Sequence, residues 1–196
     1  MGTTRITSFD QLVLNQYYTY QDYMSWEFKE RVELLLGKVF KMSPAPNVRH
    51  QTILRDLFVS IVNHLTGERC QSFCAPFDVR LPISLKQGNE DTVVQPDICV
   101  VCDPTKLDEQ GCNGAPDVVI EILSPGNSRK EMKEKFELYE ASLVKEYWIV
   151  DPANSDVVVY SLNDENQYVG SKPYVSGEII ITEVLKGIEL DPVSIF

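Results

Sequence analysis

The chain has 196 residues, 43% hydrophobic and 24% charged, a composition that suits one globular domain over 1–196 able to bury a core without disulfides or a structural metal. Its net charge of −11 excludes a general nucleic-acid coat protein and a peripheral binder of anionic membranes, which both need surplus cations. It leaves room for a local basic groove or for carboxylates gathered around a metal cation. No apolar run approaches the roughly 18–20 residues of a membrane span, and residues 1–9 lack a hydrophobic signal core. The expectation is a cytoplasmic protein with no membrane partner.

Residues 19–27 predict a short helix entered through Thr19, with Asp22 completing a capping-box start. Residues 31–42 carry Val32, Leu34, Leu35 and Leu36, then Gly37, then an alternating Lys38 to Met42, and predict a strand or a hairpin ending at the Ser43-Pro44-Ala45-Pro46 break. Over 47–65, Ile53, Leu54, Leu57, Phe58, Ile61, Val62 and Leu65 recur at spacings of three and four, the pattern of an amphipathic helix that Gly67 stops. Strands are predicted at 77–83, 93–102 and 117–123, with a polar loop around 111–114, then a helix over 128–142 and a strand at 146–150. Short strands at 157–160, 167–169 and 178–182 complete the chain. The strand, helix, strand unit over 117–150 implies a parallel pair with a right-handed crossover, hence an α/β fold: a mixed central β-sheet flanked by helices.

Five cysteines, an odd and scattered set, predict free thiols serving as small apolar or inert surface residues. Cys99 and Cys102 form a C-x-x-C, but in a buried strand side chains three apart point to opposite faces, so one metal does not take both thiolates.

Acids in apolar company are the informative feature. Asp97 follows a proline inside 93–102, Glu121 sits within Val118-Val119-Ile120-Glu121-Ile122-Leu123, and Glu33 lies within Val32 to Leu36. A carboxylate so placed is ion-paired, hydrogen-bonded or bound to a metal. Arg31, Arg80 and nearby lysines offer ion pairs; a hard cation such as Mg²⁺ offers the alternative, since converging carboxylates repel unless one sits between them.

Taken in order, Arg31-Val32-Glu33-Leu34-Leu35-Leu36-Gly37-Lys38-Val39, Arg49-His50-Gln51, Ala75-Pro76-Phe77-Asp78-Val79-Arg80-Leu81, Val94-Gln95-Pro96-Asp97, Ala115-Pro116-Asp117-Val118-Val119-Ile120-Glu121-Ile122-Leu123-Ser124-Pro125 and Glu146-Tyr147-Trp148-Ile149-Val150-Asp151-Pro152 resemble the Uma-two family of restriction-endonuclease-like proteins. The resemblance runs from about residue 17 to the C-terminus. It implies membership of the PD-(D/E)XK nuclease superfamily, a restriction-endonuclease-like core and Mg²⁺-dependent hydrolysis of phosphodiester bonds in DNA. Carried onto this chain, Pro96-Asp97 is the PD element, Glu121 the (D/E) element and Glu33 the early acid that completes the metal site. The position two after Glu121, where the pattern has lysine, is Leu123. The resemblance implies a migrated lysine on the following helix, Lys135. There the predicted buried stripe of Met132, Phe136, Tyr139 and Leu143 leaves Lys135 on one flank and Lys133 on the other, so periodicity does not choose between them. A solvent pair of Lys135 with Glu131 is the plain alternative.

The implied chemistry has Asp97, Glu121, the Ile122 carbonyl and Glu33 holding Mg²⁺ or Mn²⁺, with Lys135 orienting water and offsetting charge on the phosphate. A homodimer is implied by the same resemblance. The alternative is a DNA-associated or regulatory binding protein that keeps the fold without turnover. A glycoside hydrolase using Asp97 and Glu121 lacks a sugar-stacking aromatic tract. His50 and His64 do not make a facing metal pair; His50, at a helix start, stands either near the site or a phosphate or in a capping or surface role. Gln95, off the acid's face, reads as a structural hydrogen-bonder. The acidic balance requires a locally basic substrate groove, expected near Arg129, Lys130, Lys133 and Lys135, and strongly salt-dependent DNA binding.

Overall fold

In the computed structural model, which describes residues 5–42, 47–83, 91–124 and 129–196, the stretch after Arg31 is a hairpin. Strand β1 (Val32–Leu35) runs antiparallel to β2 (Lys38–Lys41). The two-residue turn between them has Leu36 at φ 52° and Gly37 at φ 77°. Positive φ at both positions is the twist-matched hairpin turn, and Gly37 takes it without a Cβ penalty. Ahead of the hairpin, the short helix α1 (Tyr20–Met24) starts as predicted, Thr19 accepting from the Asp22 amide and the Asp22 carboxylate accepting from the Thr19 amide. Helix α2 (Val48–His64) likewise begins at an Asn47 cap, its side chain accepting from the His50 amide.

The strand predicted over 93–102 is broken, and its halves join different sheets. β5 (Val93–Val94) pairs with β1 and with β4 (Val79–Arg80), whereas β6 (Ile98–Val101) pairs with β3 (Gln71–Cys74) and with β9 (Val118–Ile122). The break at Gln95-Pro96-Asp97 puts Asp97 where the two sheets part; proline, without an N–H, suits an interrupted ladder. The first sheet has the order β2-β1-β5-β4-β8-β7, with β7 (Leu107–Asp108) and β8 (Gly111–Asn113) forming a hairpin where only a polar loop was expected. The second has the order β12-β11-β10-β9-β6-β3, with β10 (Glu146–Asp151), β11 (Asp156–Leu162) and β12 (Tyr168–Gly170). β9 and β10 are parallel, joined by α3 (Arg129–Ala141), the crossover unit that the sequence implied. The strand expected at 178–182 does not form: this segment is irregular, and its Thr182 hydroxyl and the Glu183 and Val184 amides donate instead to the buried Glu146 carboxylate.

Helices cover both faces of the second sheet. Ile53, Leu57 and Ile61 of α2 pack with Ile98, Val100, Ile120 and Trp148, and Leu185 and Leu190 of the C-terminal segment close that layer. On the opposite face Leu138 and Tyr139 of α3 pack with Cys99, Val119 and Tyr147 and reach Leu35, Val79 and Val94 of the first sheet. Strand alternation places Val119 and Glu121 toward α3, and Ile120 and Ile122 toward α2. Cys99 and Cys102 go to opposite faces as expected, but the expectation of five free thiols is corrected: Cys70 is bonded to Cys102. The cause lies in the register, since Gln71 faces Val101 across β3 and β6 and Cys70 and Cys102 are the next pair outward, with Cα atoms 3.9 Å apart. Cys74, Cys99 and Cys112 are free. Among the described residues no helix is long and apolar enough to cross a membrane.

Candidate active site

Each acid singled out in the sequence reaches one corner of the fold, at the edge where the two sheets part. Glu33 is delivered by β1, Asp97 by the entry to β6, and Glu121 by the fourth position of β9. Lys135 comes from the second turn of α3, its Nζ 2.9 Å from Glu121 Oε1 and 3.0 Å from Glu33 Oε1. The Tyr139 hydroxyl, one turn further along, donates to the same Glu121 oxygen at 2.8 Å. The amide of Gln95 fixes Glu33 by donating to its Oε1 at 2.8 Å, and the amide of Ile122 fixes Asp97 by donating to its Oδ2 at 2.8 Å.

The buried stripe of α3 is shifted from the sequence expectation. Lys135, Leu138 and Tyr139 are buried, whereas Leu143 lies beyond the helix at φ 64° and is 52% exposed. Lys135 therefore sits in the buried face instead of on its flank. Two carboxylates compensate its charge there, so it is not held in a solvent pair. Lys133 points to solvent and pairs with Glu137 at 3.5 Å. Geometry thus separates two lysines that periodicity left equivalent.

His50 belongs to the same corner. It is buried at the start of α2, with Nε2 3.3 Å from Asp97 Oδ2, while Nδ1 is buried without a hydrogen-bond partner among the described residues. Burial pushes its pKa down, but the hydrogen bond and charge of Asp97, with smaller effects from the Ile122 backbone and Glu121, outweigh this and raise it. Gln95 is a hydrogen-bonding hub: its side chain bridges Arg31, Asp78 and Tyr23. Neither contact follows from sequence pattern, although the Arg49-His50-Gln51 motif and the position of Gln95 beside Asp97 marked both residues.

Electrostatically the corner carries surplus negative charge, three carboxylates facing one ammonium. Burial raises the Glu121 pKa to about 7; Lys135 opposes the rise, and the charges of Asp97 and Glu33 add to it. The two acids hold the Lys135 ammonium protonated, raising its pKa against the effect of burial. Among the described residues no three histidine, cysteine, aspartate or glutamate side chains form a ready metal cage. The donor set nevertheless fits a hard divalent cation. Asp97 Oδ1 and Glu121 Oε2 meet no donor among the described residues, and Mg²⁺ characteristically takes one or two carboxylates and keeps several waters.

The fold is similar to that in a crystal structure of a putative nuclease belonging to DUF820 from Anabaena variabilis, with a TM-score of 0.71 at 20% identity over 91% of this chain and 97% of that one. The class is thus a nuclease-like α/β fold. Residues 20–193 match the model of the Uma2 family, described as "Putative restriction endonuclease", and the chain belongs to that family. It is also 26% identical over 152 residues to the uncharacterized protein slr1290 of Synechocystis sp., covering 76% of each chain.

Proposed function

We propose that this chain is a divalent-metal-dependent endonuclease that hydrolyses phosphodiester bonds of DNA. The observation that carries the reading is the meeting of Glu33, Glu121 and the Lys135 ammonium within 3.0 Å, beside Asp97, at the edge between the sheets. Asp97 and Glu121, with the Ile122 carbonyl and with Glu33 directly or through water, would hold Mg²⁺ or Mn²⁺. Such an ion, when bound, polarises the phosphate and lowers the pKa of a coordinated water.

The chain's own groups do the positioning. An ammonium has three N–H donors, and Lys135 commits two to Glu33 and Glu121; the third is left for a phosphate oxygen or the attacking water. Tyr139 holds the Glu121 carboxylate in one rotamer, and His50 does the same for Asp97. Two copies acting together would cut both strands, an arrangement that sedimentation velocity of the purified protein checks.

One observation favours a second reading, a DNA-associated binding protein without turnover: the Lys135 ammonium already occupies the space between Glu33 and Glu121. Supercoiled plasmid incubated with protein and Mg²⁺ or Mn²⁺ separates the two. Metal-dependent nicking that Asp97→Ala and Glu121→Ala each reduce at least about 100-fold supports the enzyme. Nicking that survives both substitutions defeats it, and metal-independent DNA binding without nicking favours the second reading.

A further inference from the structure

Five of the seven arginines fall into two groups by what holds them. Arg5, Arg55 and Arg80 each meet a carboxylate, on Glu27, Asp56 and Asp108 respectively. Arg31 and Arg49 are both exposed and are held by neutral groups. Arg31 donates from Nε and Nη2 to Gln95 Oε1, at 3.1 and 2.8 Å, and Arg49 donates from Nη2 to the Ser155 hydroxyl at 3.3 Å. The orientation of the Gln95 amide is itself fixed, because its Nε2 donates to Asp78 Oδ1 at 2.7 Å and to the Tyr23 hydroxyl at 3.2 Å. Asp78 therefore orients the amide without meeting the guanidinium. The result is a positioned Arg31 whose charge no carboxylate among the described residues neutralises, in a chain of net charge −11. A planar guanidinium held in this way is prepared for the oxygens of a phosphate.

Both arginines adjoin the acid corner, on either side of the strand that bears Glu121. Arg31 precedes Glu33 by two residues and so shares its face of the β1 segment, and Gln95 holds both, Arg31 through its side chain and Glu33 through its amide. Arg49 precedes His50, which contacts Asp97. Its partner Ser155 lies in the turn after β10, the strand that pairs Val150 with Ile122. By contrast, the lysines of α3 where a basic groove was expected are committed: Lys135 is buried between two acids and Lys133 is paired with Glu137. The side chains of Arg129 and Lys130 lie outside the described residues.

We propose that Arg31 and Arg49 clamp the phosphodiester backbone of the nucleic acid, one on each side of the acid corner, an inference that rests on the nuclease reading above. Arg31 carries the larger share, because the turn that holds Arg49 is flanked by Asp151 and Asp156.

The test is the salt dependence of binding to a fluorescein-labelled 30-base-pair DNA duplex, followed by anisotropy in EDTA so that no cleavage intervenes. Arg31→Gln and Arg49→Gln each weaken binding several-fold and flatten the plot of log K against log salt by about 0.9 per lost phosphate contact. Arg31→Lys keeps the slope and binds more weakly than wild type, since it retains the charge without the fork. Arg55→Gln, at an arginine already paired, leaves the slope unchanged. In Mn²⁺-driven cleavage Arg31→Gln raises KM with kcat nearly constant, which loss of fold does not do. If wild type binds and nicks DNA while Arg31→Gln and Arg49→Gln keep its slope, the clamp is wrong and the nuclease reading stands. If wild type neither binds nor nicks DNA in Mg²⁺ or Mn²⁺, both fall.

Discussion

Glu121 and Glu146 lie on neighbouring parallel strands, and both are withdrawn from solvent, yet they are held in opposite ways. Glu146, at the start of β10, is 0% exposed and takes its hydrogen bonds from neutral donors: Trp148 Nε1 at 3.1 Å, the Thr182 hydroxyl at 2.6 Å, and the Glu183 and Val184 amides at 2.6 and 3.2 Å. These contacts dock the C-terminal segment onto the sheet. Glu121, near the end of β9, shares its corner with Asp97, Glu33 and Lys135. Burial of a carboxylate is thus not in itself a sign of chemistry. What sets Glu121 apart is the company of like charges, which costs stability unless a cation offsets it.

The largest expected effect tests this contrast directly. Glu121→Gln loses metal-dependent nicking by about 100-fold or more while keeping or raising the melting temperature of the metal-free protein at pH 8. Glu146→Gln does the reverse, unfolding about 3 kcal/mol more easily because one amide group cannot satisfy all of those donors. Thermal melts alongside a nicking assay decide it; two variants that melt alike would erase the distinction.

Lys135→Met is expected to cost about 3–5 kcal/mol, because the buried Glu33 and the part-buried Glu121 lose their shared partner. Added Mn²⁺ should restore part of that loss, a recovery that urea titrations with and without the ion measure. No recovery would mean that the acids do not take the cation.

A smaller effect is the pH dependence. The folded pKa of Glu121, about 7, lies above its ordinary 4.5, so between those values the folded chain binds the extra proton. The stability this contributes is fully present below about pH 4.5 and is lost as pH rises through about 7. The raised His50 acts with the same sign. The denaturation midpoint of the metal-free protein should fall from pH 5 to pH 8, and Glu121→Gln should reduce that fall. An equal fall in the variant would refute the assignment.

The smallest effect belongs to Lys133→Ala. Its exposed pair with Glu137 is worth under about 0.5 kcal/mol, and nicking should be unchanged, in contrast to the result at Lys135.

Local pattern made much of the fold legible. Helix α2 is visible in Ile53, Leu57 and Ile61, and α1 in the Thr19–Asp22 cap. The run around Glu121 shows β9, because a chain segment with one buried face must repeat its apolar residues at the period of its backbone. The acids Glu33, Asp97 and Glu121 could be picked out for a similar reason, each being a charge inside an apolar run. What stayed hidden depends on partners distant in sequence. Residues 93–102 carry Gln95-Pro96-Asp97 between two apolar runs, and although that proline allows a break, nothing local says that β5 and β6 join different sheets. The Cys70–Cys102 bond needs the β3–β6 register, and the docking role of Glu146 needs Thr182.

The sequence by itself determined the helices, most of the strands, the parallel crossover and the three acids, because period, caps and misplaced charges are written within a few residues of each other. Tertiary structure alone decided which lysine enters the acid corner, that His50 backs Asp97, and that Arg31 and Arg49 flank it. Those outcomes turn on charges from different elements meeting at low dielectric, where the strength of an interaction follows distance in space and not separation along the chain.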